Sequence, residues 1–307
     1  MSENDDQVFA DLQESRRRFL ELVKDIRPEL HRYCARMTGS VTDGEDIVQE
    51  TLAKAYYELA DLKELPALRG WLFRIAHNRA IDYTRRYERR MSEPLEAAAD
   101  FLADDTLEPD SALARNEAVG AAFCRFLELS PMQRSCVILK DVFSYSLEEI
   151  SGILELSKPA VKSALIRGRT RLREISRTSE TAVTSATQSR SPSPALKRYA
   201  DLFNTRNWEG VRALLVDDVR LDLVSRMKRS GRSEVGNYLS NYDRIPGWHL
   251  VPAWLDDREV LAVFANPLDR RASYFIELGA AGDRIATIRD FRYVPYVLQD
   301  ATIRIAD

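Results

Sequence analysis

A chain of 307 residues, 45% of them hydrophobic and 30% charged, is expected to be globular and to hold two or three domains, because a single core rarely grows so large. No apolar run reaches membrane-spanning length, which excludes a helical membrane protein, and the acidic start MSENDDQVFA is unlike a secretion signal, so a cytoplasmic location is expected. The formal net charge of -3 argues against a nucleic-acid binder only until its distribution is read, since cations and anions occupy different segments.

Residues 19 to 37 carry Phe19, Leu20, Val23, Ile26, Leu30 and Tyr33 at helical spacing, with Pro28 bending or restarting the helix. In the next stretch Gly39 and Gly44 read as chain breaks, Asp43 to Asp46 place carboxylates in a first helical turn, and Val48, Leu52, Ala55, Tyr56 and Leu59 form the apolar stripe. Asp46, Gln49 and Glu50 stay on the outward face. They suit a basic partner helix, or they merely complement the helix N-terminus; spacing alone does not separate the two. Of the three cysteines, Cys34, Cys124 and Cys136, none has CxxC spacing, which points to free thiols. His31 and Cys34 stand three apart, but ordinary helix packing is the preferred reading, and no metal or other cofactor is expected.

LPALRGWLFRIAHNRAIDYTRRYERR, from Leu65 to Arg90, carries Leu68, Trp71, Leu72, Ile75, Ala76, Ala80 and Tyr83 along one helical stripe. The remaining surface is basic, with Arg74, Arg79, Arg85, Arg86, Arg89 and Arg90 suited to phosphates, while Trp71 and Phe73 follow the helix breakers Pro66 and Gly70. A base leaving a duplex needs a flat apolar surface and cations for its backbone, and this helix offers both. The competing reading is an amphipathic core helix with a solvated charged face. From Met91 to Asp110 periodicity fades, and Glu93, Glu96, Asp100, Asp104, Asp105, Glu108 and Asp110 arrive between prolines as an acidic linker, either solvated or imitating nucleic-acid phosphates.

Helix signals resume at Ser111, and Ser130-Pro131 reads as a cap followed by a first-turn proline. In SYSLEEISGILELSKPAVKSALIRGRTRLREI, Leu147, Ile150 and Ile153 mark a short helix, Glu155-Leu156 a tight turn, and Ser157 the cap of a second helix. Val161, Ala164, Leu165, Gly168, Leu172 and Ile175 then face inward, leaving Lys158, Lys162, Ser163, Ile166, Arg167, Arg169, Arg171 and Arg173 outside. That is the pattern of a helix-turn-helix whose second helix enters a major groove. A structural helical hairpin is the alternative.

The stretch 176 to 194 is rich in serine and threonine and reads as a flexible tether. Beyond it come helices at 195–203 and 208–215, strand-like runs at 219–224, 249–255, 259–264, 273–278 and 285–293, and a helix at 233–242. Helices laid on a curved antiparallel sheet, an α+β cone, are expected. Trp208, Asp222, Trp248, His249 and Asp290 are candidates for lining its pocket, against the plainer reading of sheet packing.

Two of these stretches resemble the extracytoplasmic-function group of the sigma-seventy family, the promoter-specificity subunits of bacterial RNA polymerase. TDGEDIVQETLAKAY and LRGWLFRIAHNRAIDYTRR resemble region two, and LSPMQRSCVILKDVFSYSLEEISGILELSKPAVKSALIRGRTRLRE resembles region four. The resemblance implies that Asp46, Gln49 and Glu50 dock on core RNA polymerase. It implies that Lys63, Arg69, Trp71, Phe73, Arg74, Asn78, Arg79, Arg85 and Arg86 capture and open the minus-ten element. It also implies that Ser157, Lys158, Lys162, Ser163, Arg167, Arg169 and Arg171 read the minus-thirty-five element of promoter DNA. YADLFNTRNWEGVRALLVDDVRLDLV and IATIRDFRYVPY resemble the SnoaL-like, nuclear-transport-factor-like cone appended to some of these proteins, with MKRSGRSEV where related chains carry a DGGGR-type loop.

The expected organisation is multidomain: a tail (1–17), an all-α region-two bundle (18–92), an acidic linker (93–111), an all-α region four with its helix-turn-helix (112–176), a tether (177–194) and the cone (195–307). The cone is expected to regulate the helical part by intramolecular contact, with no membrane involved and an unknown small ligand as a further partner. An enzyme using Asp222, His249 or Asp290, or a ligand-responsive repressor, are the alternative functions.

Overall fold

The computed structural model describes residues 14–59, 67–92, 125–180 and 191–306, apart from 16, 244–246, 257, 300 and 302, and the described residues divide into two compact units, 14–180 and 191–306. The acidic linker, Cys124 and most of the tether lie outside the described residues. Among the described residues no helix is long and apolar enough to cross a membrane.

The first unit is all helical. Helix α1 (Arg27–Thr38) starts afresh at Pro28, whose missing N–H is harmless in a first turn, and ends at Gly39, where φ is 78°. Helix α2 (Val41–Leu59) follows at once. Gly44 does not break the chain as its sequence context suggests: it lies inside α2, where an added Cβ would fall 2.6 Å from the Ala35 backbone nitrogen. Its lack of a side chain lets α1 and α2 approach closely. Helix α3 (Leu68–Ser92) is the arginine-rich one, and α4 (Pro131–Val137) passes into a π-type turn over Ile138–Val142. Helices α5 (Leu147–Leu154) and α6 (Lys158–Glu180) complete the unit.

The two regions that the sequence separates share one hydrophobic core. Leu30, Tyr33, Val48, Leu72 and Phe73 from α1 to α3 belong to the same cluster as Val137, Ile138, Leu139, Ile150, Val161 and Leu165 from α4 to α6. Full burial of each large apolar side chain contributes roughly 2 kcal/mol, so this shared core is a substantial part of the unit's stability. Arg134 is embedded in it, donating to the carbonyls of Phe126 and Leu127 at 2.8 Å, of Leu129 at 3.1 Å, and of Met37 from α1. Buried polar groups persist only when bonded in this way.

The second unit packs α7 (Pro194–Asn204), α8 (Trp208–Leu214) and α9 (Arg232–Asp243) with a seven-stranded sheet of order β2-β1-β6-β5-β4-β3-β7 among the described residues. The strands are β1 (Leu215–Leu223), β2 (Met227–Ser230), β3 (His249–Leu255), β4 (Arg258–Phe264), β5 (Tyr274–Ala281), β6 (Arg284–Asp290) and β7 (Ile303–Ile305). This is the expected α+β architecture, with antiparallel pairing throughout except between β1 and β6, which run parallel. Register shifts between Leu215 and Arg220 and between Gly279 and Ala280 mark the irregularities that bend such sheets. Strands β2 and β7 have no counterpart among the strand-like runs of the sequence for a physical reason: β2 is exposed along its whole length and shows no alternation, and β7 is three residues long. One sheet face carries Leu221, Leu223, Ile276 and Ile288 against Tyr199, Phe203 and Tyr242 of the helices.

Candidate nucleic-acid interface

Helices α5 and α6 form the expected helix-turn-helix. Ser146 and Glu149 close a capping box on α5, with Glu149 N–H to Ser146 Oγ at 3.2 Å and Ser146 N–H to Glu149 Oε2 at 2.8 Å. The S-x-x-E spacing could have revealed this box in the sequence. Helix α5 ends at Glu155 in the left-handed region, φ 54°, and Ser157 Oγ accepts from Ala160 N–H at 3.3 Å to cap α6. Val161, Ala164, Leu165, Gly168 and Ile175 are buried on one face. Lys158, Lys162, Ile166, Arg167, Arg171 and Arg173 are exposed on the other, with Ser163 and Arg169 between.

The cations on α6 are not equivalent. Lys158 meets Glu148 at 2.9 Å, Arg169 meets Asp141, and Arg171 lies 3.3 Å from Glu128. Arg167 donates to Ser163 Oγ at 2.7 Å, and among the described residues neither Lys162 nor Arg167 has an acidic partner. Ile166 is 67% exposed beside them, an apolar group of the kind that touches thymine methyls. Two such cations around an exposed apolar side chain near a helix N-terminus make a face able to read a major groove.

Helix α3 differs from its expected role in one respect. Trp71 and Phe73 are buried, so neither presents a ring for stacking in this conformation. Phe73 lies edge-on to Tyr33, Phe143 and Tyr145 at centroid distances of 5.6, 5.7 and 5.5 Å. The π-type turn brings Phe143 and Tyr145 there, with Phe143 N–H bonded back to the Ile138 carbonyl at 3.2 Å. The polar half of α3 is where the sequence puts it. Asn78, Arg85 and Arg86 are exposed, while Arg74 reaches Glu155 at 3.2 Å, Arg69 pairs with Glu29, and Arg79 approaches Glu50 at 3.9 Å. Lys63 lies outside the described residues.

On α2, Glu50 is exposed and Asp46 and Gln49 are half-buried, so the three share a partly accessible face. Helical spacing gives no sign of two further polar features, Arg134 and the trio Tyr33, His77 and Ser135. His77 Nδ1 lies 3.0 Å from both the Tyr33 and Ser135 hydroxyls, and burial lowers its pKa to about 4, keeping it neutral. Burial likewise pushes the Cys136 thiol up to about 11, so this thiol is not poised for reaction.

Of the five pocket candidates of the second unit, three gather on one buried aromatic cluster and two do not. Asp290 is buried and accepts from Tyr238 and Tyr242 hydroxyls at 2.9 and 2.8 Å and from Arg292 N–H at 2.9 Å; burial raises its pKa. Trp248 joins this cluster edge-on to Tyr242 and Tyr274, and Trp208 packs on Phe203. Strand alternation turns the other two away: Asp222 sits between the inward Leu221 and Leu223, and His249 precedes the inward Leu250. Asp222 instead lies 3.7 Å from Lys228. Among the described residues no group of three or more His, Cys, Asp or Glu is placed to hold a metal ion.

A helical bundle with an arginine-lined helix, followed by a capped helix-turn-helix, is the arrangement of the sigma-70 class, and both parts match its family models: residues 22–90 match Sigma-70 region 2 and residues 124–172 match Sigma-70 region 4. The chain is 30% identical over 164 residues to the ECF RNA polymerase sigma factor SigW of Bacillus subtilis, covering 87% of that protein and 51% of this one. It belongs to the ECF RNA polymerase sigma factors. It is also 34% identical over 225 residues to the ECF sigma factor SigG of Mycobacterium tuberculosis, spanning 60% of that protein's length and 66% of its own. The crystal structure of the Mycobacterium tuberculosis extracytoplasmic function sigma factor SigJ aligns with 88% of this chain and 95% of that one, at 18% identity and a TM-score of 0.36.

Proposed function

We propose that this chain binds bacterial core RNA polymerase, recognises paired minus-thirty-five and minus-ten promoter elements, and initiates transcription from them. The observation that carries this reading is the solvent face of α6, where Lys162, Ile166 and Arg167 are exposed behind the Ser157 cap. The Asn78, Arg85 and Arg86 face of α3 supplies backbone contacts for the second element, and the Asp46, Gln49 and Glu50 face of α2 meets the polymerase. Because Trp71 and Phe73 are buried here, strand opening requires α3 to be uncovered from the Phe143 and Tyr145 rings first. Reconstitution of core polymerase with the full chain and promoters selected from a random library tests this. Promoter-specific run-off transcript is expected; no transcript together with no core binding ends the reading.

The second unit controls that activity through an intramolecular contact, which the tether makes effectively concentrated. Truncation after Ser176 and after Pro194 is expected to change core affinity or transcript yield. Identical values for both truncations and the full chain would remove the case for control. Of the three residues an enzymatic role for the cone would draw on, Asp290 faces the interior, whereas Asp222 and His249 do not.

A further inference from the structure

Tyr199, Tyr242, Tyr274 and Asp290 are all buried in the second unit. An open cavity of about 640 Å³ lies over β1, β2 and β6 and is lined by charged and hydroxyl-bearing residues together with Leu221 and Ile288. Two cross-strand rows build it. One runs Lys228, Asp222, Arg289, Glu277 and alternates in sign, with Lys228 and Asp222 3.7 Å apart and Arg289 and Glu277 3.2 Å apart, so its charges largely satisfy one another.

The neighbouring row runs Ser230, Arg220, Thr287, Gly279 and holds a single cation. Arg220, Ser230 and Thr287 are exposed, and among the described residues Arg220 has no acidic partner. An added Cβ at Gly279 would fall 2.1 Å from Thr287 Oγ1, so glycine there leaves the hollow to the hydroxyl. Of the four cations that line the cavity, Lys228 faces Asp222, Arg229 lies 3.9 Å from Glu234 and Arg289 faces Glu277, which leaves Arg220 as the one whose charge is not met by a carboxylate among the described residues. A guanidinium fork flanked by two hydroxyls offers donors from several sides, which suits a tetrahedral oxyanion better than a planar carboxylate. The volume exceeds what one phosphate fills and falls within the range of small-molecule sites.

We propose that this cavity binds a small molecule through its phosphate group, with Arg220 as the main anchor, Ser230 and Thr287 as hydroxyl donors, and Lys228 at the rim. The site lies wholly within the second unit, and its test needs neither polymerase nor promoter. Calorimetric titration of the full chain at fixed ionic strength with adenosine monophosphate, ribose 5-phosphate, inorganic phosphate, succinate and polyglutamate reads it directly. A phosphate ester is expected to bind better than succinate, and Arg220→Gln is expected to weaken it about tenfold or more, the effect of removing one charge-assisted hydrogen bond. Arg220→Lys, which keeps the charge but not the fork, should fall between, and unchanged far-UV circular dichroism shows that the variants fold. Inorganic phosphate binding as tightly as the esters, with the same dependence on Arg220, supports the phosphate site with the free ion as its occupant. No binding by any phosphate probe, equal binding by Arg220→Gln, or polyglutamate binding alone would overturn the proposal.

Discussion

His77 is neutral because the shared core around Tyr33 and Ser135 excludes the water its charged form would need. Its folded pKa, about 4, lies below the ordinary value of 6.5, so below pH 6.5 the unfolded chain binds a proton that the folded chain refuses. Its contribution is therefore fully present above pH 6.5 and is lost progressively as pH falls toward 4, by roughly 3 kcal/mol in all. Urea unfolding at several pH values should show this slope in the native chain and a shallower one in His77→Gln. Arg134 illustrates the opposite case, a buried charge retained because carbonyls from separate segments surround it. Arg134→Met is expected to cost about 1–3 kcal/mol in denaturant unfolding, since it leaves buried carbonyl acceptors unpaired. Asp290→Ala should cost about 1–3 kcal/mol by removing the carboxylate to which the Tyr238 and Tyr242 hydroxyls donate, measured as a lower midpoint for the second unit's transition.

Among the helices, α6 has the clearest division of labour. Lys162→Ala and Arg167→Ala should each weaken promoter binding by holoenzyme, and removing a phosphate-neutralising cation at either position should lower the salt-dependence slope by about one, read by fluorescence anisotropy over a salt series. Arg169→Ala and Arg171→Ala should do less, because Asp141 and Glu128 already neutralise those side chains. The two faces of α6 were legible in the sequence because only one of them is buried, and the helical period then separates core from surface. Helix α3 was legible only in part. Its stripe of Trp71, Leu72 and Ile75 is indeed buried, but so is Phe73, and the rings that cover it, Phe143 and Tyr145, come from a segment far along the chain. Local periodicity carries no information about such a partner. Gly44 shows the same limit, since its reason lies in α1 rather than in its own helix.

At the scale of the molecule, the order of an arginine-lined helical bundle, a helix-turn-helix and an α+β unit was readable from composition and spacing, whereas the common core of the two helical regions was not. The same holds for the cone: its helices and most strands follow their patterns, yet which strands are neighbours depends on pairings that no short window reveals. The parallel pairing of β1 with β6 has a kinetic corollary. Leu221 pairs with Ile288, so the sheet cannot close until β6 has been made, while the helical unit needs nothing beyond Glu180. Refolding from denaturant should accordingly be biphasic, with helical ellipticity regained before tryptophan fluorescence from Trp248 and Trp254 reaches its final value. On the ribosome, this order means a nascent chain completes its helical half well before the half proposed to control it.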